Sequence, residues 1–203
     1  MSKTYLDYNA TAPIRSEVID LVTKVMREVG NASSVHGHGR AARKYVEDAR
    51  IQVAALCSVD PEQVIFTSGA TEATNAALCH FKDQKTLIST IEHPAVVDSL
   101  PNAVTIPVTT DGIIDMEAYH KLLNDGQSPA LVSVMLINSE TGVIQPIAEM
   151  AKIAHEKGAL FHTEIVQGAG RIDINLNKLG VDYMSLSAHK FAGPQGVGAL
   201  ILR

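Results

Sequence analysis

The sequence VIFTSGATEA, at residues 64–73, combines an apolar run, a turn of small residues and the start of a helix. The N–H groups in the first turn of a helix have no partners within the helix, and the helix dipole makes that end positive. Gly69 and Ala70 let a ligand approach this backbone, and Thr71 adds a hydroxyl donor. The segment therefore predicts a strand and a helix joined by an anion-binding turn. An N-capped helix that binds no ligand is the alternative.

Short apolar runs alternate with longer amphipathic segments on both sides of this unit. The predicted helices are 16–29, 41–56, 71–78, 94–100, 115–123 and 147–157. The predicted strands are 63–67, 86–90, 104–108, 130–137, 160–163, 181–187 and 197–202. This alternation is typical of βαβ units. The sequence thus predicts an α/β fold in which helices flank a mostly parallel sheet.

The composition is that of an ordinary globular chain of about one domain. Its 203 residues are 46% hydrophobic, which is enough to bury a core. The net charge is −5 and no basic run occurs, so we expect no binding of nucleic acid. The apolar run at 130–137 is far shorter than a membrane span, and the first residues lack the apolar core of a secretory signal. A cytoplasmic protein without a membrane partner is expected.

The two cysteines, Cys57 and Cys79, lie in helix-like apolar patterns without CxxC spacing. Such cysteines are usually buried and reduced rather than paired in a disulfide or a metal site. We therefore expect two buried thiols and no metal centre.

A lysine follows directly on the strand predicted at 181–187, in the sequence Ser187-Ala188-His189-Lys190. Apolar surroundings and a neighbouring histidine disfavour the ammonium form, so the free amine becomes available to attack an aldehyde. Lys190 is therefore a candidate Schiff-base lysine. A polar turn between two strands is the alternative for this segment.

Other polar side chains also follow strands. His93 could stack on a flat heterocycle, although a lone histidine at a strand end can equally be a surface residue. Glu164 precedes Gln167 by three residues and could keep a pyridine nitrogen protonated, or could simply cap a helix. Residues 138–142, NSETG, form one more polar cluster. Because ligands bind at the carboxyl edge of open α/β sheets, these groups are expected to converge in one crevice.

Several motifs occur in a fixed order: YLDYNATAP at 5–13, GNASSVH at 30–36, TSGATE at 67–72, IEHPAV at 91–96, ETGVIQPI at 140–147 and SAHK at 187–190. Together they resemble the amino half of a class V, fold-type I pyridoxal-phosphate enzyme, and within that class the cysteine desulfurases. The resemblance implies an amino-terminal arm at 1–13 and a cofactor-binding large domain at 14–203. It also implies that this domain is truncated before the small carboxyl-terminal domain.

The resemblance implies site roles for matching positions. Lys190 would form the Schiff base with pyridoxal 5′-phosphate and move the substrate α-proton, and His93 would stack on the ring. Gln167 would bind the phenolic oxygen, and the phosphate would be held by Ala70, Thr71, Ser187 and His189.

Two cofactor positions depart from the family pattern. Glu164 stands in place of an aspartate and adds a methylene, and a misplacement on the order of 1 Å can cost ~100-fold in rate. Ser139 replaces an asparagine with a shorter donor.

The implied function is a cysteine desulfurase that converts L-cysteine into L-alanine and a persulfide, which supplies sulfur for iron–sulfur cluster assembly through an acceptor or scaffold protein. In the family, the sulfur-accepting cysteine and the carboxylate-binding arginine come well after the lysine, in a part that this sequence does not contain. We therefore expect turnover to be impaired. Alternatives are another class V lyase or aminotransferase, such as selenocysteine lyase, and a non-catalytic cofactor-binding fragment. Members are typically homodimers, and apolar surface exposed near 200–202 is expected to cause self-association or aggregation.

Overall fold

A single sheet of 7 strands organises the chain, which is described for residues 3–203 by a computed structural model. The strands are β1 (Val64–Thr67), β2 (Thr86–Ser89), β3 (Val104–Ile106), β4 (Leu131–Ser133), β5 (Leu160–Glu164), β6 (Tyr183–Ser187) and β7 (Gly198–Leu202). Their order across the sheet is β1-β7-β6-β5-β4-β2-β3. Only β7 runs antiparallel to its neighbours β1 and β6, and all other pairs are parallel. The predicted α/β fold with a mostly parallel sheet is confirmed.

The helices are α1 (Ser16–Met26), α2 (Gly37–Cys57), α3 (Ala70–Leu78), α4 (Pro94–Ser99), α5 (Met116–Leu123), α6 (Ile147–Glu156) and α7 (Leu176–Leu179). Helix α2 begins four residues before the predicted start, because His36 accepts a hydrogen bond from the Gly39 N–H at 3.3 Å and caps it. Helix α7 was not predicted, since four residues are too few to show helical periodicity. Across residues 3–203, no helix combines the length and the apolar character needed to cross a membrane.

The two faces of the sheet pack against different helices, because side chains alternate between faces along a strand. Phe161, Met184 and Ile201 belong to a core shared with α2, α5 and α6. Leu131 and Leu200 face the opposite way, into a core shared with α3 and α4. Glu164 and Ser187 lie on this second face by the same alternation, at the carboxyl ends of β5 and β6. The α3 side of the sheet is therefore the side on which polar groups accumulate.

Strand β4 is shorter than the strand predicted at 130–137. Residues 131–136 are buried throughout, and pairing with β5 continues past the end of β4: the N–H groups of Val134 and Leu136 donate to the carbonyls of His162 and Glu164 at 3.1 and 2.9 Å. On the opposite side, the Met135 N–H donates to the Glu92 carboxylate at 2.8 Å instead of to a strand. The prediction was therefore right about burial and too long as a strand.

The expectation of exposed apolar surface near 200–202 is wrong. Leu200 and Ile201 are only 5% and 0% exposed, and Leu202 is half-buried. The reason is that β7 turns back after β6 and inserts between β6 and β1, so it occupies an interior position of the sheet rather than an edge.

The expectation of two buried thiols holds for Cys57 and is wrong for Cys79. Both are free, but Cys79 is exposed. Helix α3 ends at Leu78, and the short 3₁₀ helix Cys79–Phe81 that follows buries Phe81 while it leaves Cys79 at the surface. Burial raises the pKa of the Cys57 thiol to about 12.

We expect iodoacetamide to alkylate Cys79 in the folded protein and to spare Cys57, because the thiolate is the reactive form and must reach the reagent. Intact-mass spectrometry should give one adduct in buffer and two in denaturant. The Cys79→Ser variant should take up no adduct while folded. Modification of both thiols at similar rates in buffer would contradict the burial of Cys57.

Candidate active site

A cleft of about 950 Å³ opens at the carboxyl edge of the parallel strands. All of the site residues predicted from the sequence line it: Ala70, Thr71, His93, Ser139, Glu164, Gln167, Ser187, His189 and Lys190. These residues follow different strands, and the parallel order of those strands brings their ends to one edge. The structure therefore gathers the set in one place, while the individual roles remain predictions.

Lys190 lies in the 3₁₀ helix Ala188–Phe191, directly after β6, and is half-buried. Its Nζ donates to the carbonyl of Asn9 at 2.6 Å. Burial lowers the pKa of the Lys190 amine, the nearby Glu164 carboxylate works in the opposite direction, and Arg171 adds to the lowering. Burial thus biases this amine toward its neutral, nucleophilic form.

The turn between β1 and α3 forms a cradle for an anion. Gly69 is the N-cap of α3, so the first-turn N–H groups at Ala70 and Thr71 have no acceptor within the helix. Ser187 is a buried residue whose hydroxyl forms no hydrogen bond within residues 3–203; this hydroxyl lines the cleft and lies 3.9 Å from where a Cβ on Gly69 would be. Free amide donors and a free hydroxyl around a bare backbone fit a phosphate monoester.

Gly198 allows the turn before α3 to pack closely against β7. A Cβ at this position would lie 2.6 Å from the Gly69 Cα, the Gly69 carbonyl carbon and the Leu186 carbonyl oxygen. Only glycine permits such an approach of β7 to the turn, so the sequence at 198 decides the position of the cradle.

Two histidines line the cleft, and burial favours the neutral form of both. His93 caps α4, where its Nδ1 accepts from the Ala95 N–H at 3.1 Å, and burial followed by the Lys190 charge lowers its pKa. The Nδ1 of His189 is 3.1 Å from the Thr11 hydroxyl, and the same two causes lower its pKa. Each ring forms its hydrogen bond through Nδ1, so the rest of the ring is available to contact a ligand.

Glu164 places a carboxyl group in the cleft with only 7% of the residue exposed. Within the described chain, no donor forms a hydrogen bond to this carboxyl group. Burial raises its pKa to about 7, and Lys190 opposes that rise. A buried carboxyl group without a protein donor is suited to an N–H on a ligand.

A buried histidine connects α3 to the strands beneath it. His162 Nδ1 lies 2.8 Å from the Ser133 hydroxyl, and its Nε2 lies 3.1 Å from the Ser185 hydroxyl. Thr74 of α3 donates to the same Ser185 oxygen at 3.0 Å. Burial lowers the pKa of His162 to about 3, so the ring is neutral. This hydrogen-bonded chain fixes α3 on β4, β5 and β6.

Sequence reasoning gave no site role to Asn9, Thr11 or Arg171. The Asn9 carbonyl accepts from both Lys190 Nζ and Gln167 Nε2, the latter at 2.9 Å, and Asn9 Nδ2 donates to the Ser139 carbonyl at 2.8 Å. Arg171 donates to Gln167 Oε1 at 2.5 Å and to Asn9 Oδ1 at 3.1 Å. The motif at 5–13 was the available signal, but nothing local in it indicates contact with residues 130 or more positions away.

Gln167 and Ser139 are engaged differently from their predicted roles. Both polar ends of the Gln167 amide contact protein groups, so binding a ligand oxygen would require an exchange of partners. The carbonyl of Ser139 accepts a hydrogen bond from Asn9, whereas its hydroxyl lies 3.5 Å from Glu140.

Over residues 3–203, no group of three or more His, Cys, Asp or Glu side chains could hold a metal ion.

Comparisons with known proteins identify a family for this chain. Residues 4–203 match the model of the family described as "Aminotransferase class-V". The chain is 40% identical over 215 residues to "Cysteine desulfurase IscS" of Dechloromonas aromatica, covering 98% of this chain and 53% of that protein. It is 38% identical over 216 residues to "IscS-like cysteine desulfurase" of Mycobacterium tuberculosis, covering 98% of this chain and 55% of that protein.

Solved structures show the same similarity. The NifS-like protein from Rickettsia africae superimposes with a TM-score of 0.91 at 38% identity, covering 98% of this chain and 57% of that one. The chain spans about half the length of the curated relatives it matches. Since the family model covers the chain almost from end to end, the chain belongs to the class-V aminotransferase family.

Proposed function

We propose that this chain carries the pyridoxal-phosphate site of a cysteine desulfurase. The observation that supports it most is the convergence of three groups in one cleft: the Lys190 amine, the anion cradle at 69–71, and the buried Glu164 carboxyl group. Each group suits a different part of the cofactor, and the relatives named cysteine desulfurase match nearly the whole chain.

The residues present fit pyridoxal phosphate. Ala70, Thr71 and Ser187 would hold its phosphate, His93 would lie against its ring, and Glu164 would accept a hydrogen bond from its ring nitrogen. Once bound, the cofactor supplies an aldehyde to the lysine and a ring that accepts electrons from the amino-acid substrate.

The side chains of this protein have definable tasks in the reaction. Lys190 Nζ, as a neutral amine, can take the proton from Cα of a bound L-cysteine and return it. The Asn9 carbonyl holds that nitrogen at 2.6 Å and so fixes its position. Glu164, once ionised, keeps a proton on a ring nitrogen that it contacts. The arm predicted at 1–13 is proposed to be a separate element from a cofactor domain at 14–203. The Ala12 N–H donates to the His189 carbonyl at 2.8 Å, which supports packing of the described part of the arm, residues 3–13, on that domain.

The acceptor of sulfur would come from outside the described residues. Neither Cys57 nor Cys79 lines the cleft, since one is in the core and the other is at the end of α3. The persulfide product, and its delivery to iron–sulfur cluster assembly, would therefore need a thiol on another segment or partner. This observation also favours a second candidate function, in which the chain binds the cofactor without desulfurating cysteine.

Titration of the purified chain with pyridoxal phosphate tests the proposal. We expect a visible absorption band that saturates with cofactor, and a pyridoxyl mass increase on Lys190 after borohydride reduction. The Lys190→Ala variant should lose both signals, because no other lysine lines the cleft. Lys152→Ala, a change at an exposed position on α6, is the matched control and should keep both.

The outcomes separate the two candidates. A band of equal strength in Lys190→Ala, or labelling spread over surface lysines, would overturn the proposed cofactor site. A Lys190-dependent band together with alanine formed from L-cysteine in the presence of dithiothreitol would support the desulfurase. The same band without alanine, even with added acceptor thiols, would support cofactor binding alone.

A further inference from the structure

Glu92 is half-buried as a residue and places its carboxyl group inward, between the end of β2 and the start of α4. Its Oε1 accepts from the Ser89 hydroxyl and from the Met135 N–H, the latter at 2.8 Å. Its Oε2 is buried and has no hydrogen-bond partner within residues 3–203. A buried oxygen without a partner costs more when the carboxyl group is ionised than when it is neutral. The unpartnered Oε2 of Glu92 therefore favours the neutral acid.

The second carboxyl group of the site lies one strand away. Met135, which donates to Glu92, lies between Val134 and Leu136, and these two bond to β5 at His162 and Glu164. The extended end of β4 therefore contacts both residues, and a like charge on Glu164 disfavours ionisation of Glu92, so ionising both groups costs more than ionising one.

We propose that Glu92 is a positioning residue which stays protonated and thereby leaves Glu164 to carry the buried negative charge at the cleft. Its hydrogen bonds with Ser89 and Met135 also link the turn before His93 to the extended end of β4. The inference rests on the proposed function, because the charge on Glu164 matters for a bound ring nitrogen.

The electrostatics agree with this order of ionisation. Burial raises the pKa of Glu92 to about 8, the Ser89 and Met135 bonds lower it, and Glu164 raises it further. Burial raises the pKa of Glu164 only to about 7, because Lys190 opposes the rise. Of the neighbouring groups, Glu164 from β5 carries the charge that acts on Glu92, while burial favours the neutral form of the adjacent His93 ring. A cation opposes the rise at Glu164 and none within residues 3–203 opposes it at Glu92, and Glu164 also lines the open cleft, so Glu164 ionises more readily than Glu92.

The test is the thermal stability of Glu92→Gln and of the wild type from pH 4.5 to 9. Glutamine keeps an oxygen for Ser89 and Met135 and cannot ionise. In the wild type, the folded state holds a proton on Glu92 that the unfolded chain loses above its ordinary pKa, so this residue lowers stability as the pH rises toward about 8. We expect the Tm of Glu92→Gln to rise relative to wild type across this range and the difference to level off above it.

Two further measurements complete the test. The exposed Glu156→Gln on α6 is the matched control, and its Tm difference from wild type should stay flat over the same range. In a Glu164→Gln background, the pH at which the Glu92 effect levels off should fall, because the like charge is gone. Should Glu92→Gln fail to fold, infrared titration of the Glu164→Gln chain would still report Glu92, through a carboxylic-acid C=O band that persists to neutral pH.

A Tm difference that is independent of pH, or a carboxylic-acid band that disappears near pH 4.5, would overturn the proposal. All of these readouts use the full chain without cofactor. They can therefore fail while pyridoxal phosphate still binds at Lys190, and they can succeed if it does not.

Discussion

Replacing Gly198 with alanine is expected to lower the free energy of unfolding by about 3 kcal/mol, the upper end of the usual cost of overpacking. The new Cβ would lie 2.6 Å from two atoms of Gly69 and from the Leu186 carbonyl oxygen. These are backbone atoms, so relief requires β7 or the turn before α3 to move. The anion cradle should move with the turn, and the pyridoxal-phosphate band should weaken in the variant that remains folded.

Urea unfolding measures the first effect and cofactor titration the second. Gly37→Ala is the matched control: a Cβ at Gly37 has no atom within 4 Å, and the residue opens α2. Its stability should stay within about 1 kcal/mol of wild type, or rise slightly. A Gly198→Ala protein as stable as this control would show that β7 does not hold the turn in the way described.

Glu164→Gln is expected to stabilise the cofactor-free chain in a pH-dependent way. Burial raises the pKa of Glu164 to about 7, so the folded state keeps a proton that the unfolded chain loses above pH 4.5. Wild-type stability should therefore fall as the pH rises through this window, and the variant should escape that loss. The gap between the two proteins should grow by about 3 kcal/mol from pH 4.5 to pH 8.

Urea unfolding at both pH values tests this expectation, with Glu140→Gln as the control because Glu140 lies at the same cleft but is exposed. The control should show little change in its gap from wild type. An equal gap for Glu164→Gln at both pH values would mean that the carboxyl group titrates normally. If the expected result is found, the site holds a charge that costs stability, as binding sites often do.

Local sequence patterns predicted most helices and strands, and the edge of the sheet at which the candidate site lies. The apolar run before Lys190 predicted β6, the small residues before Thr71 predicted the turn into α3, and polar residues after strands predicted where the cleft opens. These features depend on neighbours within a few positions, which is the range over which periodicity and capping act. The fold class and the convergence of the site followed from them.

Other features depend on contacts between distant segments. Strand β7 is buried because it inserts between β6 and β1, and no pattern within 198–202 distinguishes that place from an edge. Asn9 contacts Lys190 because residues within 7–11 of the arm line the cleft. Glu92 and Glu164 are linked because the extended end of β4 lies between them and bonds to both. The sequence by itself determined the elements, their order and the chemistry at strand ends. Only the tertiary structure decided strand neighbours, burial and the electrostatic coupling of the carboxyl groups, because these arise from packing between residues far apart in the chain.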